Sequence, residues 1–398
     1  MAMKTAEIMI CGAGIVGLTV ARELISRGYK DILIIDKESE IAKHASGRNS
    51  GVLHAGIYYA PGSLRAVSCL SGNFRMKEYC REKGLPLLET GKVIVARNES
   101  ELPTLHELYS RATANGAKVD IIDEQQLSEI EPNAKTTKEA LFSHYTAVVD
   151  PRAVMKSLYN DLESSGKVSF MLGTKFITAK SNNTIVTDKG EISCGLFINA
   201  AGAYSDQVAR PFGFGEGYQL IPFKGIYKKL KKEKAHTIKG SIYPVPNIKN
   251  PFLGIHFTRG AGGDVYLGPT AIPAFGRENY GILSGLDKEA FDIMLRDAIL
   301  FFTNPKFRSV AFEEPRKYFF KCFFNDAKEL VKELSPDDIE NSPKVGIRPQ
   351  LVDLKRNELV MDFLVESDKK SVHVLNAISP AFTSSMYFAE MIVEKYIH

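Results

Sequence analysis

The chain has 398 residues, 44% of them apolar and 25% charged, with a net charge of +4. That composition is globular, long enough for two domains, and too weakly basic to argue for a nucleic-acid partner. No run of about 18 apolar residues occurs, and the opening MAMKTAEIMICGAG does not read as a secretory leader because Glu7 interrupts it. The five scattered cysteines (Cys11, Cys69, Cys80, Cys194 and Cys322) form no Cys-x-x-Cys pair. They argue against a disulfide framework or a zinc cluster and fit a reducing cytosol, so a cytoplasmic protein without a metal centre is expected.

In chain order, Glu7 to Cys11 (EIMIC) reads as a short buried strand. A helix follows over 15–26, with Val16, Val20, Leu24 and Ile25 as its apolar stripe and Gly28 as its stop. Asp31 to Asp36 (DILIID) is a second buried strand, so the first 36 residues predict a βαβ unit with parallel strands. A helix is expected over 63–83, then a strand (KVIVA), a helix and a strand (KVDII) within 91–122, and a helix over 151–164. KVSFML, TIVT and LFINAAG read as further strands, the last entering a glycine turn. From Pro211 to Tyr280 the pattern alternates (YQLIPFKGIYKKL, SIYPVP, FLGIHFT, DVYLGP) and predicts an antiparallel sheet. Phe-rich helices over 288–332, then a strand, a loop and a final helix, complete the chain.

Gly12-Ala-Gly14-Ile-Val-Gly17 is a G-x-G-x-x-G motif between a strand and a helix. Its first glycine permits the turn, the second lets the backbone approach a pyrophosphate, and the third lets helix and strand pack closely. The helix N-terminus at Ile15 and Val16 then offers free N–H groups to phosphate. Asp36 ends the second strand nineteen residues after Gly17, placed to accept hydrogen bonds from a ribose, with Lys37 beside it. A bare glycine motif is weak, but here strand, helix, strand and acid occur in register. Both NAD and FAD carry an ADP half. FAD is favoured because the βαβ pieces recur at both ends of the chain, and because Ala200, Ala201 and Gly202 offer a second small-residue turn.

Several longer stretches resemble the D-amino-acid-oxidase-like flavoproteins, and among them the L-2-hydroxyglutarate dehydrogenases and oxidases. They are GRNSGVLHAGIYYAPGSLRA from Gly47, IPFKGIYKKL from Ile221, SIYPVPNIKNPFLGIHFT from Ser241, GDVYLGPTA from Gly263, VGIRPQL from Val345 and NAISPAFTSS from Asn376. The chain departs from that pattern at Pro349, Ile378 and Phe382. The resemblance implies an α/β fold: an FAD-binding, Rossmann-like two-dinucleotide-binding domain interleaved with an antiparallel-sheet α+β substrate domain. The expected bounds are 1–80, 145–210 and 341–398 for the first and 81–144 and 211–340 for the second.

The resemblance also implies roles. It places the loop Ser46, Arg48, Asn49, Ser50, Gly51, with Leu53 after it, along a non-covalently held FAD, and such a loop can donate N–H and hydroxyl groups to phosphate and flavin. Oxidation of a 2-hydroxy acid needs a base for the hydroxyl proton, a role suited to neutral histidine. His54 (GVLHAG) and His256 (GIHFT) stand in the matching stretches, although a lone histidine is more often a satisfied core residue. Arg348 in VGIRPQL is the expected carboxylate anchor through its planar fork. Lys224, Tyr58, Tyr59 and Tyr243 are further candidates, with sheet packing an equal reading for the tyrosines. Thr383, Ser384 and Ser385 are expected at the start of the final helix, where a dipole and N–H donors would stabilise reduced flavin. The implied reaction takes L-2-hydroxyglutarate, a dicarboxylate, to 2-oxoglutarate, with oxygen or a membrane quinone as electron acceptor. An amine or amino-acid oxidase of the glycine or sarcosine type, or an electron-relay subunit, remains as the alternative. The run Lys228, Lys229, Lys231, Lys232, Lys234 reads as a solvated hairpin tip, with contact to the inner face of an anionic membrane as the sharper reading.

Overall fold

The computed structural model describes residues 4–247 and 252–397. Residues 248–251, part of the SIYPVPNIKNPFLGIHFT stretch, lie outside the described residues. The chain divides into two compact units, residues 1–49, 151–222 and 348–398 in one and 50–150 and 223–347 in the other. Residues 50–80, 145–150 and 341–347, expected with the dinucleotide-binding domain, therefore fold with the second unit, and residues 211–222, expected with the substrate domain, fold with the first. For 50–80 and 145–150 the reason is local: strand Val52–Leu53 pairs with Ala147–Val149, which also pairs with Leu87–Leu88.

The first unit is built on a parallel sheet. Strand Lys4–Cys11 lies at its centre, between Ile32–Asp36 and Gly190–Asn199. Val168–Leu172 adds outside Ile32–Asp36, and Ser371–Asn376 adds outside Gly190–Asn199. These central strands are near-continuous apolar runs because helices cover the sheet. Helix Ile15–Ser26 makes the crossover from the first strand to the second and packs against the final helix, Ala381–Tyr396. The hairpin Phe176–Ser181/Thr184–Thr187 extends the sheet antiparallel.

The second unit carries a sheet whose described pairs are otherwise antiparallel, with Lys92–Val95 running parallel to Ser241–Pro244. Strand alternation sorts its two faces. Val93, Val95, Ile242 and Phe257 enter one apolar cluster, with Phe323 and Leu330. Ile94, Ala96, Tyr243 and Val245 enter another, with Ala55, Ile57 and Leu105. Lys92 shares the second face by the same alternation. Of the expected FLGIHFT strand only Phe257–Arg259 is extended, and His256 precedes it. The expected lysine hairpin tip is not one: strand Tyr218–Leu230 holds Lys228 and Lys229, and a short 3-10 helix, Lys232–Thr237, follows. Helices Ala290–Thr303, Pro305–Glu313 and Phe320–Lys328 account for the Phe-rich region.

Candidate functional site

In the first unit, Gly12 adopts φ +116°, and a Cβ there would stand 2.4 Å from the Ala200 carbonyl oxygen. A Cβ at Gly17 would stand 2.0 Å from the Gly12 carbonyl oxygen. Glycine is thus required at both positions, and the first loop and the Ala200–Gly202 turn meet backbone to backbone. The Ala200 N–H donates to the Cys11 carbonyl at 2.9 Å. Asn199 shapes that turn, accepting from the Ala201 N–H at 3.1 Å and donating to the Ser205 carbonyl at 2.8 Å.

At the helix start, the Ile15 N–H donates to Ser46 Oγ at 2.9 Å. Asp36 accepts from the Ala13 N–H at 2.8 Å and from the Glu38 N–H at 2.9 Å, so the carboxylate is fixed to the glycine loop. Lys37 pairs with Glu38 and lies 3.1 Å from His44 Nε2. Arg48 Nε donates to the Lys43 carbonyl at 2.6 Å, and Asn49 Nδ2 to the Ser46 carbonyl at 2.8 Å. These contacts brace the short helix Ala45–Arg48. A cleft lined by Val16, Ala200, Gly202, Leu220, Pro349 and Ala377 opens beside the loop.

The final helix starts at Ala381, so Thr383 and Ser384 lie in its first turn and Ser385 opens the next, all three buried. Ser384 Oγ finds no hydrogen-bond partner among the described residues. A buried hydroxyl without a partner is costly unless a ligand completes it. Together with the glycine loop, it fits a dinucleotide with a polar ring edge. Arg348 also belongs to this unit, half-buried, with Nη2 3.4 Å from Gln350 Oε1.

The second unit gathers His54, Tyr58, Tyr243 and His256 around Lys92. His54 follows strand Val52–Leu53 and is held by its backbone: Asn73 Nδ2 donates to the carbonyls of Leu53, His54 and Tyr145 at 3.0, 3.1 and 3.1 Å. Cys69 Sγ donates to the His54 carbonyl at 3.3 Å. Ser50 and Gly51 lead into the same strand, and the Gly51 carbonyl accepts from the Val149 N–H at 2.9 Å. His256, 5% exposed, stacks on the Tyr243 ring with centroids 3.8 Å apart. Its Nδ1 lies 2.9 Å from the Gly254 carbonyl.

Lys92 is 1% exposed, and its ammonium lies 4.6 Å from the ring centroids of both Tyr58 and Tyr243. No hydrogen-bond acceptor for it exists among the described residues. Burial holds the Lys92 ammonium down to about 7. Burial, then the charges of Lys92, His256 and Arg65, holds His54 well below the ordinary imidazole value. His256 is pushed down to about 3, first by burial and then by Lys92 and Lys317, against the Gly254 carbonyl. Burial raises the Tyr58 and Tyr243 phenols. Both histidines are therefore neutral at physiological pH, the form in which imidazole accepts a proton.

Lys224 is placed differently. Its ammonium donates to Asn279 Oδ1 at 3.1 Å and to the Gly281 carbonyl at 2.6 Å, holding the 279–281 loop. Tyr59 stacks under Arg65, with the guanidinium 4.4 Å from its ring. Sequence reasoning missed Lys92 and Asn73. The signal for Lys92 is a charge opening an otherwise apolar strand run, KVIVA. Asn73 has only a weak signal, because helix Leu64–Glu82 buries polar and apolar residues alike.

A parallel sheet with a glycine loop at its central strand is the frame of a dinucleotide-binding protein. The match to the model of the FAD dependent oxidoreductase family (DAO) runs over residues 7–395, and the chain belongs to that family. It is 36% identical to L-2-hydroxyglutarate dehydrogenase of Indibacter alkaliphilus, over 98% of both chains. It is 34% identical to the mitochondrial L-2-hydroxyglutarate dehydrogenase of Homo sapiens, over 98% of this chain and 88% of that one. Among solved structures it resembles L-alpha-glycerophosphate oxidase of Mycoplasma pneumoniae, at TM-score 0.75 and 21% identity, covering 99% and 96% of the two chains. Glycine oxidase of Geobacillus kaustophilus matches at TM-score 0.75 and 16% identity, covering 100% and 96%. These two likenesses show the fold.

Proposed function

We propose that this protein oxidises L-2-hydroxyglutarate to 2-oxoglutarate. The observation that carries the reading is the buried cluster of Lys92, Tyr58, Tyr243 and the stacked His256, in a chain whose relatives of that name match over nearly its full length. The glycine loop and the Ser384 end of the final helix would hold FAD, which when bound would supply the acceptor for the hydride leaving C2. The chain's own residues do the rest. One neutral histidine takes the hydroxyl proton, so the substrate loses a hydride and a proton together. Arg348 supplies a bidentate donor for one carboxylate. The first turn of the final helix supplies N–H groups and a positive dipole end for the negative charge that reduction creates.

The test is anaerobic mixing with each enantiomer of 2-hydroxyglutarate, following oxidised-flavin absorbance. Bleaching by the L-enantiomer alone supports the reading. Bleaching by glycine or sarcosine and not by L-2-hydroxyglutarate replaces it, and a yellow protein that no donor bleaches points to an electron-relay subunit.

Reoxidation by oxygen or by a membrane quinone completes the cycle. No helix among the described residues is long and apolar enough to cross a membrane. A peripheral contact at the inner face of a membrane is supported less by the lysine run than by an apolar helix further along the chain. Lys229 pairs with Glu340 at 3.0 Å and Lys234 with Asp338 at 3.4 Å, which offsets two of the run's five charges. Helix Ala290–Thr303 instead exposes Phe291, Met294, Leu295 and Phe302 along one outward stripe. Co-sedimentation with anionic vesicles, lost on replacing Phe291 and Phe302 by Ser, checks this contact. Equal recovery of both proteins in the supernatant refutes it.

A further inference from the structure

Lys92 is a buried cation with no acid to balance it among the described residues. Taking a charge out of water costs several kcal/mol unless it is paired, and chains keep unpaired buried charges where their field has a use. The surroundings are specific. Strand Lys92–Val95 runs parallel to Ser241–Pro244 with Val93 beside Ile242 and Ile94 beside Tyr243. That register brings Tyr243 onto the face that Lys92 occupies. Two aromatic faces 4.6 Å away receive the ammonium through their negative quadrupoles. One of those rings, Tyr243, is the surface on which His256 stacks at 3.8 Å.

We propose that Lys92 is a positioning residue for the histidine pair: its ammonium, held between the Tyr58 and Tyr243 rings, clamps the ring on which His256 stacks and adds its charge to the field of burial that both imidazoles feel. The base role for the pair rests on the reaction proposed above, but the electrostatic coupling does not. Among the described residues, the groups facing the two imidazoles are few. Strand Lys92–Val95 brings Lys92, helix Leu64–Glu82 brings Arg65 and Cys69, the segment after His54 brings Tyr58 and Tyr59, and Ser241–Pro244 brings Tyr243. The 3-10 turn Pro315–Tyr318 adds Lys317, whose charge is paired with Glu314. Arg65 and Lys92 are thus the cations that act on His54, Lys92 the more strongly.

The experiment is histidine NMR of the FAD-loaded protein, unreacted, titrated from pH 9 down to the acid limit of the folded state, with signals assigned through His54→Gln and His256→Gln. Lys92→Met keeps the stem and removes the charge. The His54 titration should move upward by about one pH unit, as a unit charge one side-chain layer away at an effective dielectric constant of roughly 20 to 40 would dictate. Lys92→Arg should restore the wild-type value. Unchanged histidine titrations in Lys92→Met overturn the proposal, whether or not L-2-hydroxyglutarate proves to be the substrate. If Lys92→Met does not fold, the wild type still decides: the His54 and His256 shifts must carry an inflection at the pH where the Lys92 side-chain resonance itself titrates, and its absence overturns the assignment. In flavin reduction by L-2-hydroxyglutarate, the acid limb of the rate should move with the histidine titration. A merely structural lysine would lower the rate equally at every pH.

Discussion

Asn73 offers a sharp test of how the candidate site is held. Its buried side-chain amide shares two hydrogens among the carbonyls of Leu53, His54 and Tyr145, at 3.0 to 3.1 Å. Asn73→Ala removes all three contacts and strands carbonyls away from water. A net hydrogen bond is worth about 0.5–1.5 kcal/mol and a stranded buried acceptor costs about 1–3 kcal/mol. The Cys69 thiol still serves the His54 carbonyl, so the expected loss is about 2–4 kcal/mol, short of the full sum. The chain has no tryptophan, so the assay is urea unfolding followed by circular dichroism, with FAD content measured alongside. Because Asn73 fixes the backbone of His54, flavin reduction should also fall by roughly 10- to 100-fold, the penalty of a catalytic group displaced by about 1 Å. Asn73→Asp, isosteric but unable to donate, should be at least as damaging. If both variants unfold within about 0.5 kcal/mol of the wild type and reduce flavin at its rate, the reasoning is refuted.

Other consequences are as direct. Gly17→Ala sets a Cβ 2.0 Å from the Gly12 carbonyl oxygen and should abolish FAD retention, read from the absorbance of the purified protein; a yellow variant contradicts the tight helix–loop contact. Arg348→Met should raise KM for the dicarboxylate by about 100-fold or more, while Arg348→Lys recovers part of it; an unchanged KM removes Arg348 from substrate binding. Burial raises the Asp297 carboxyl from 3.8 to about 7, and its oxygens have no hydrogen-bond partner among the described residues. The native state then holds a proton that the unfolded chain releases, so Asp297 weakens the fold as pH rises from 3.8 through about 7. Asp297→Asn should gain stability over the wild type between pH 5 and 8, measured by thermal melting, and a pH-independent difference would contradict this origin. The opposite sign holds for His256. Its folded value of about 3 lies below the ordinary 6.5, so its contribution is present above pH 6.5 and is lost as the pH falls, and His256→Gln should flatten the acid side of the stability profile.

The dinucleotide half was legible because its determinants are local. Gly12, Gly14, Gly17 and Asp36 stand at spacings fixed by one turn, one helix and one strand, and backbone sterics leave little else for them to do. The lysine run misled for an equally physical reason. Charge density along the chain says nothing of partners across it, and Glu340 and Asp338 come from more than a hundred residues away. His54 and His256 were singled out through the stretches around them, since periodicity alone would have left each a core histidine.

By itself, then, the sequence determined the features that neighbours in the chain impose on one another: the βαβ unit, the glycine loop, the alternating strands of the second unit and the Phe-rich helices. Only the tertiary structure decided the environment of each titratable group. A strand pattern such as KVIVA places Lys92 on a face, but the tyrosines that receive it, one from a loop and one from a strand 151 residues on, meet it through the parallel pairing of Lys92–Val95 with Ser241–Pro244. Protonation depends on burial and on charges gathered from distant segments. The neutrality of His54 and His256 is therefore a property of the folded unit and cannot be read from the residues one at a time.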